Sequence, residues 1–120
     1  MNAPLTLTLV PRDGDEPDVA LVEASGSIGQ ESVPALEEAF ARLVDQGKRR
    51  IVLDLSGIRY VASSGFGALV KQAEALEALG GGIALLGVPP KVNVVIEMLG
   101  LETMFSVVCK QRPGAFAVAS

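Results

Sequence analysis

Ile51-Val52-Leu53-Asp54-Leu55 is an almost wholly apolar run, β-branched at its start, and it lies between two stretches that repeat apolar residues with the period of a helix. A run this short and this apolar is a strand buried in a sheet, because half-exposed strands alternate apolar with polar residues. A strand with a helix on either side of it in sequence reaches its neighbours through crossover connections, and crossovers make a parallel sheet. The run is therefore expected at the middle of the sheet, covered on both faces.

The remaining segments fit this frame. Leu5, Leu7 and Leu9 alternate with Thr6 and Thr8, residues 19–24 read as a second strand, and the acidic, turn-rich residues 11–18 between them predict a hairpin. Helical spacing begins after Gly26-Ser27-Ile28-Gly29, with Val33, Leu36, Phe40, Leu43 and Val44 on one face. Ser32 is placed to cap that helix, Pro34 is tolerated in its first turn, and Gly47 ends it. A second helix over residues 64–79 aligns Phe66, Leu69, Val70, Ala73, Leu76 and Leu79, and Gly80-Gly81-Gly82 stops it. Residues 83–86 are another buried strand. Pro89-Pro90 opens a third helix whose Val92, Val95, Ile96 and Leu99 share a face; residues 106–110 make a last strand, and those from 113 a short helix or tail. The predicted fold class is α/β: one domain over residues 1–120, with a mostly parallel sheet of four or five strands, an N-terminal hairpin and helices packed against the sheet.

Composition removes several kinds of function. There is no histidine, so Ser-His-Asp and Cys-His arrangements, His-bearing zinc sites and the usual general base near neutral pH are all absent. The single cysteine, Cys109, forbids an internal disulfide, and its apolar neighbours predict a buried structural thiol. A net charge of −4, with Lys48-Arg49-Arg50 the one basic cluster, argues against direct nucleic-acid binding; that cluster reads as a solvated turn between helix and strand. No apolar run approaches the 18 residues that span a bilayer, and the N-terminus lacks the basic start and apolar stretch of a signal peptide, so the expectation is a cytoplasmic protein without membrane insertion. Met98 and Met104 read as packing residues.

One segment is more than scaffold. Asp54-Leu55-Ser56-Gly57-Ile58-Arg59-Tyr60-Val61-Ala62-Ser63-Ser64-Gly65-Phe66-Gly67 joins the central strand to the second helix and gathers hydroxyls and glycines at a helix start, where α/β sheets place ligand and partner sites. A serine there sits beside unpaired backbone N–H groups and the positive end of the helix dipole, so a phosphate added to it is stabilised locally. Spacing alone favours plain N-capping by Ser63 or Ser64, with the glycines allowing the turn.

This segment resembles the STAS family, the domain of sulfate transporters and anti-sigma factor antagonists, in Asp54-Leu55-Ser56-Gly57 and in Ala62-Ser63-Ser64-Gly65-Phe66-Gly67. The resemblance continues through Gly26-Ser27-Ile28, the turn at Gly80-Gly81-Gly82, and Met98-Leu99-Gly100-Leu101, and so covers nearly the whole chain. It implies a domain that binds an anti-sigma factor when unphosphorylated and is expelled when that partner, acting also as an ATP-using serine kinase, phosphorylates it. Carried over by position, the phosphoacceptor is Ser63, with Ser64 the runner-up, and the partner surface comprises Gly29, Gln30, Glu31 and Ser32 with Ala62, Ser63, Ser64, Gly65 and Phe66. Phe66 reads first as a core anchor.

Two departures stand out: the acidic residue before the serine pair is Ala62, and that expected after Gly26-Ser27-Ile28 is Gly29. They favour a second reading, a STAS subunit without a phosphoswitch in a stress-signalling scaffold or lipid-transport assembly. No catalytic residues, metal or cofactor are expected: no base accompanies Ser63, and Ser-Ser-Gly-Phe-Gly matches no phosphate-loop pattern. A weak homodimer is compatible with the sequence.

Overall fold

The computed structural model describes residues 4–10, 17–101 and 105–109, the last four of these by backbone alone. Five strands lie side by side in chain order: β1 Thr6–Val10, β2 Val19–Ile28, β3 Arg50–Val61, β4 Gly82–Leu86 and β5 Ser106–Cys109. β1 runs antiparallel to β2, with Thr8 opposite Glu23, and every other neighbouring pair is parallel. β3 is the middle strand, as its apolar run requires.

Three helices make the crossovers: α1 Val33–Asp45, reached through a 3-10 turn at Gln30–Ser32, then α2 Ser63–Ala78 and α3 Pro90–Met98. Because β2 to β5 step across the sheet in one direction, right-handed crossovers put all three helices on the same face. The core shows this. Ala20, Val22, Ile51, Leu53, Leu55, Ile83 and Leu85 form one cluster with Leu36 and Phe40 of α1, Leu69 and Leu76 of α2, and Val92 and Ile96 of α3. Side chains as buried as Leu36 and Phe40 each contribute about 1.5–3 kcal/mol relative to exposure. Val52 and Leu86, of opposite strand parity, are buried outside that cluster. Ile51, Val52, Leu53, Asp54 and Leu55 are all buried, so the run is covered on both faces as its composition predicts, with the helices on one of them.

Three expectations differ. Leu79 and Leu99 are exposed because α2 and α3 end before them, and Met98 is 77% exposed and not a packing residue. β2 and β3 are longer than their apolar runs: Gly26, Ser27 and Ile28 are strand, and β3 continues through Ser56 and Gly57 to Val61. Residues 11–16, Met104, the Cys109 side chain and the tail from residue 113 lie outside the described residues.

The end of the sheet away from the serines is closed by local chemistry. Arg50 holds Asp18 with two hydrogen bonds of 3.0 Å, Lys48 donates to the Pro17 carbonyl, and Arg49 donates to the carbonyls of Val44 and Lys48. The basic cluster therefore ties the α1–β3 turn to the start of β2. Gly80 ends α2 with φ +86°, and Gly81 lies so close to the Arg49 carbonyl that a Cβ there would overlap it.

Candidate functional site

The opposite end carries the serines. Ile28, the last residue of β2, accepts a hydrogen bond at 2.9 Å from the N–H of Ala62, which joins β3 to α2. The first turn of α2 then passes against the same carbonyl: a Cβ on Gly65 would stand 2.5 Å from the Ile28 oxygen and 2.8 Å from Ile28 Cγ2. Glycine is the residue that lets the helix start and the β2–α1 loop form one rigid surface.

Neither serine caps α2. The N-cap is Ala62, in extended conformation and without a side-chain cap, so Ser63 and Ser64 are the first two residues of the helix. Both are exposed, and among the described residues neither hydroxyl has a hydrogen-bond partner. The Phe66 N–H donates to the Ala62 carbonyl at 3.0 Å, which leaves the N–H groups of Ser63, Ser64 and Gly65 without an intrahelical acceptor. Ser32 does not cap α1 either. It is buried, and its hydroxyl donates to the Ser27 carbonyl at 3.1 Å, while its N–H donates to the Gly29 carbonyl at 3.0 Å. These bonds fold the Gln30–Ser32 turn onto the end of β2.

Of the nine residues expected to meet a partner, Gln30, Glu31, Ser63 and Ser64 are exposed and Ala62 is half-buried. Gly29, Ser32, Gly65 and Phe66 are buried and shape the surface from below; Phe66 sits in the core, so its side chain offers no contact area. Gly29 lacks the expected carboxylate, yet one covers it: Glu31 Oε1 lies 3.3 Å from the point where a Gly29 side chain would begin. Ser63 and Ser64 also differ from each other. Ser64 lines an open groove of about 410 Å³ between Pro34 and Glu37 of α1 and Ala68 and Lys71 of α2, whereas Ser63 is outside its lining.

Sequence reasoning passed over Arg59 and Tyr60. Both are exposed near the end of β3, Tyr60 by 52%, with Val61 between Tyr60 and Ala62. The signal available was an aromatic residue beside the serine motif, where β3 runs on past β4 but still pairs with β2. On the helix-free face, Asp54 Oδ1 accepts from both the N–H and the hydroxyl of Ser56, at 2.9 and 2.6 Å. These two bonds hold the Asp54-Leu55-Ser56-Gly57 motif inside β3. The motif is thus structural, and it is remote from the exposed hydroxyls.

An exposed, unpartnered serine pair at the start of a helix, rigidly joined to a neighbouring loop, defines a surface that can be modified and docked against. The family model described as "Mlab, STAS domain" matches residues 12–108, and the chain belongs to the STAS domain family. It is 32% identical over 92 residues to BtrV of Bordetella bronchiseptica, a protein provisionally designated an anti-sigma factor antagonist, covering 77% of this chain and 79% of that one. It also resembles the crystal structure of an anti-sigma factor antagonist from Mycobacterium paratuberculosis, with 26% identity and a TM-score of 0.74 over 99% of this chain and 98% of that one. The unphosphorylated form of the Bacillus anti-sigma factor antagonist SpoIIAA shares the fold, with a TM-score of 0.72 at 18% identity over 94% of this chain and 93% of that one. Among the described residues no helix is long and apolar enough to cross a membrane.

Proposed function

We propose that this chain is a cytoplasmic, non-catalytic anti-sigma factor antagonist that docks an anti-sigma factor and is released by phosphorylation of Ser63. The observation that carries this reading is the exposed Ser63 hydroxyl, free of capping duty, on a helix start locked to the Gln30–Ser32 turn. Gln30, Glu31, Ser63 and Ser64 form the docking surface, with Tyr60 and Arg59 at its margin. The partner is an anti-sigma factor that also acts as an ATP-dependent serine kinase. In the transfer, Ser63 Oγ bonds to the γ-phosphorus of ATP, the bond from that phosphorus to ADP breaks, and the hydroxyl proton leaves to solvent.

A phosphate adds about −1.5 to −2 charges at neutral pH. Placed on the first residue of α2, beside unpaired N–H groups, it is favoured by the helix dipole and does not unfold the domain. Release comes instead from the bulk and charge of the phosphate at the interface, reinforced by the Glu31 carboxylate on the adjoining loop. The test is binding of wild type, Ser63→Ala and Ser63→Glu to each purified kinase-type anti-sigma factor of the source organism. Ser63→Ala is expected to bind as wild type and to resist phosphorylation, and Ser63→Glu to bind about tenfold or more weakly, equivalent to 1.4 kcal/mol. Equal affinity of all three contradicts the switch.

A second reading is favoured by Ala62 and Gly29, neither of which sets a carboxylate of its own beside Ser63. In it the same surface holds a constant partner in a larger assembly. A complex that survives purification and is indifferent to ATP supports this alternative.

A further inference from the structure

The outer side of α3 carries apolar surface that lies outside the proposed docking residues. On α3, Val94 is 51% and Met98 77% exposed, and they stand one helical turn apart; Leu99, just past the helix end, is 58% exposed. Val92, Asn93 and Ile96 form the buried side of the helix, so Lys91, Val94 and Met98 lie together on the side that faces out. Apolar residues scattered singly are ordinary on a surface; here three gather on one side of α3 and at its end.

The charges flanking the stripe point to its occupant. Lys91 precedes Val94 by three residues and Glu97 follows it by three, both exposed. Asn93 Nδ2 donates to Glu97 Oε2 at 3.1 Å and holds that carboxylate in place. In an antiparallel pair of α3 helices related by a two-fold axis at Val94, Lys91 of each copy meets Glu97 of the other, and the two Val94 side chains meet on the axis. A parallel pair would set Lys91 against Lys91. The stripe is therefore self-complementary in one orientation.

We propose that the outer face of α3 is a homodimer interface whose occupant is a second copy of this chain. The helix has nine residues, about 13 Å of length, far short of the 20–30 residues a side of a stable interface, so the dimer is weak. The interface leaves Gln30, Glu31 and the serines free, and the inference does not depend on what those residues bind.

The experiment is sedimentation velocity of the full chain from about 20 µM to 1 mM, the range in which an interface this small populates a dimer. Wild type is expected to shift towards the dimer across the series, and Val94→Asp/Met98→Asp to remain monomeric with an unchanged circular dichroism spectrum. Lys91→Glu is expected to weaken association and Lys91→Glu/Glu97→Lys to restore it. A wild type that stays monomeric throughout overturns the inference. So does association that the Asp pair leaves intact, or a charge swap that fails to restore what Lys91→Glu loses; in those cases the stripe serves another partner or none.

Discussion

The Ile28 carbonyl and Gly65 stand against each other with no room for a side chain: a Cβ on Gly65 would come within 2.5 Å of that oxygen. The contact fixes where α2 begins relative to β2, and hence where the serines sit relative to the Gln30–Ser32 turn.

Gly65→Ala and Gly67→Ala should therefore move stability in opposite directions. Alanine inside a helix ordinarily gains about 0.5–1 kcal/mol over glycine. Nothing lies within 4 Å of a Cβ on Gly67, so that variant should show this gain in urea denaturation. Gly65→Ala must displace backbone and should lose about 1–3 kcal/mol. It should also weaken partner binding, whereas Gly67→Ala should not. Equal stability of the two variants would show that the contact is slack.

Asp54 gives a second test. Its Oδ1 holds both the N–H and the hydroxyl of Ser56 within β3. Asp54→Ala leaves those donors without their acceptor and should cost about 1–3 kcal/mol, while Asp54→Asn keeps an oxygen in place and should cost less. Partner affinity measured on the folded fraction should be unchanged in both, since Asp54 is remote from the serines.

These two residues also show what the chain reveals locally and what it hides. The α1 stripe, the buried run at the start of β3 and the glycine stop after α2 are local patterns, and each holds. The continuation of β3 through Ser56 and Gly57 is not local. Those residues read as part of the connection from the central strand to the second helix, and the strand persists because β2 pairs alongside it with a register shift between Glu23 and Ser25. Gly57 lies close against Ser25 and Ala24 there, in contacts that belong to a distant segment. The same holds at the serines. A hydroxyl before a helix looks like a cap, but the hydrogen bond from Ala62 to Ile28 sets the start one residue earlier and leaves both hydroxyls outside. The motif pointed to the candidate site, and only the packing showed that Ser32 and Phe66 face inward and that Glu31 covers Gly29.

Acid should act first at the far pole. The hydrogen bonds from Arg50, supported by its charge and that of Lys48, hold the Asp18 carboxyl below its ordinary value of 3.8. A carboxyl lowered by folding stabilises the fold above its unfolded pKa, and that contribution is lost as pH falls through the folded pKa. Wild type should thus lose a small increment of stability below about pH 4, and Asp18→Asn should lack that increment. The pair is exposed, so the difference should shrink in high salt. A variant with the same acid limb as wild type would remove the pair from the stability of the fold.

A negative charge on Ser63 should leave the fold intact. Ser63→Glu places a carboxylate in the first turn of α2 and should stabilise the fold by about 0.3–1 kcal/mol at low salt, read as a thermal midpoint no lower than that of wild type. A lowered midpoint would mean that loss of binding in this variant reflects unfolding and not repulsion at the interface.

The decisive observation is the phosphorylation state of Ser63 in the cell. Intact mass of the protein purified from its own cells, before and after phosphatase, with peptide mapping across residues 60–71, reads it. A switch regulated through this serine predicts a phosphatase-sensitive gain of about 80 Da, one phosphate group, on Ser63 in a fraction that varies with growth condition. Ser63 unmodified under every condition, in a protein that co-purifies with one partner at constant ratio, would contradict the switch.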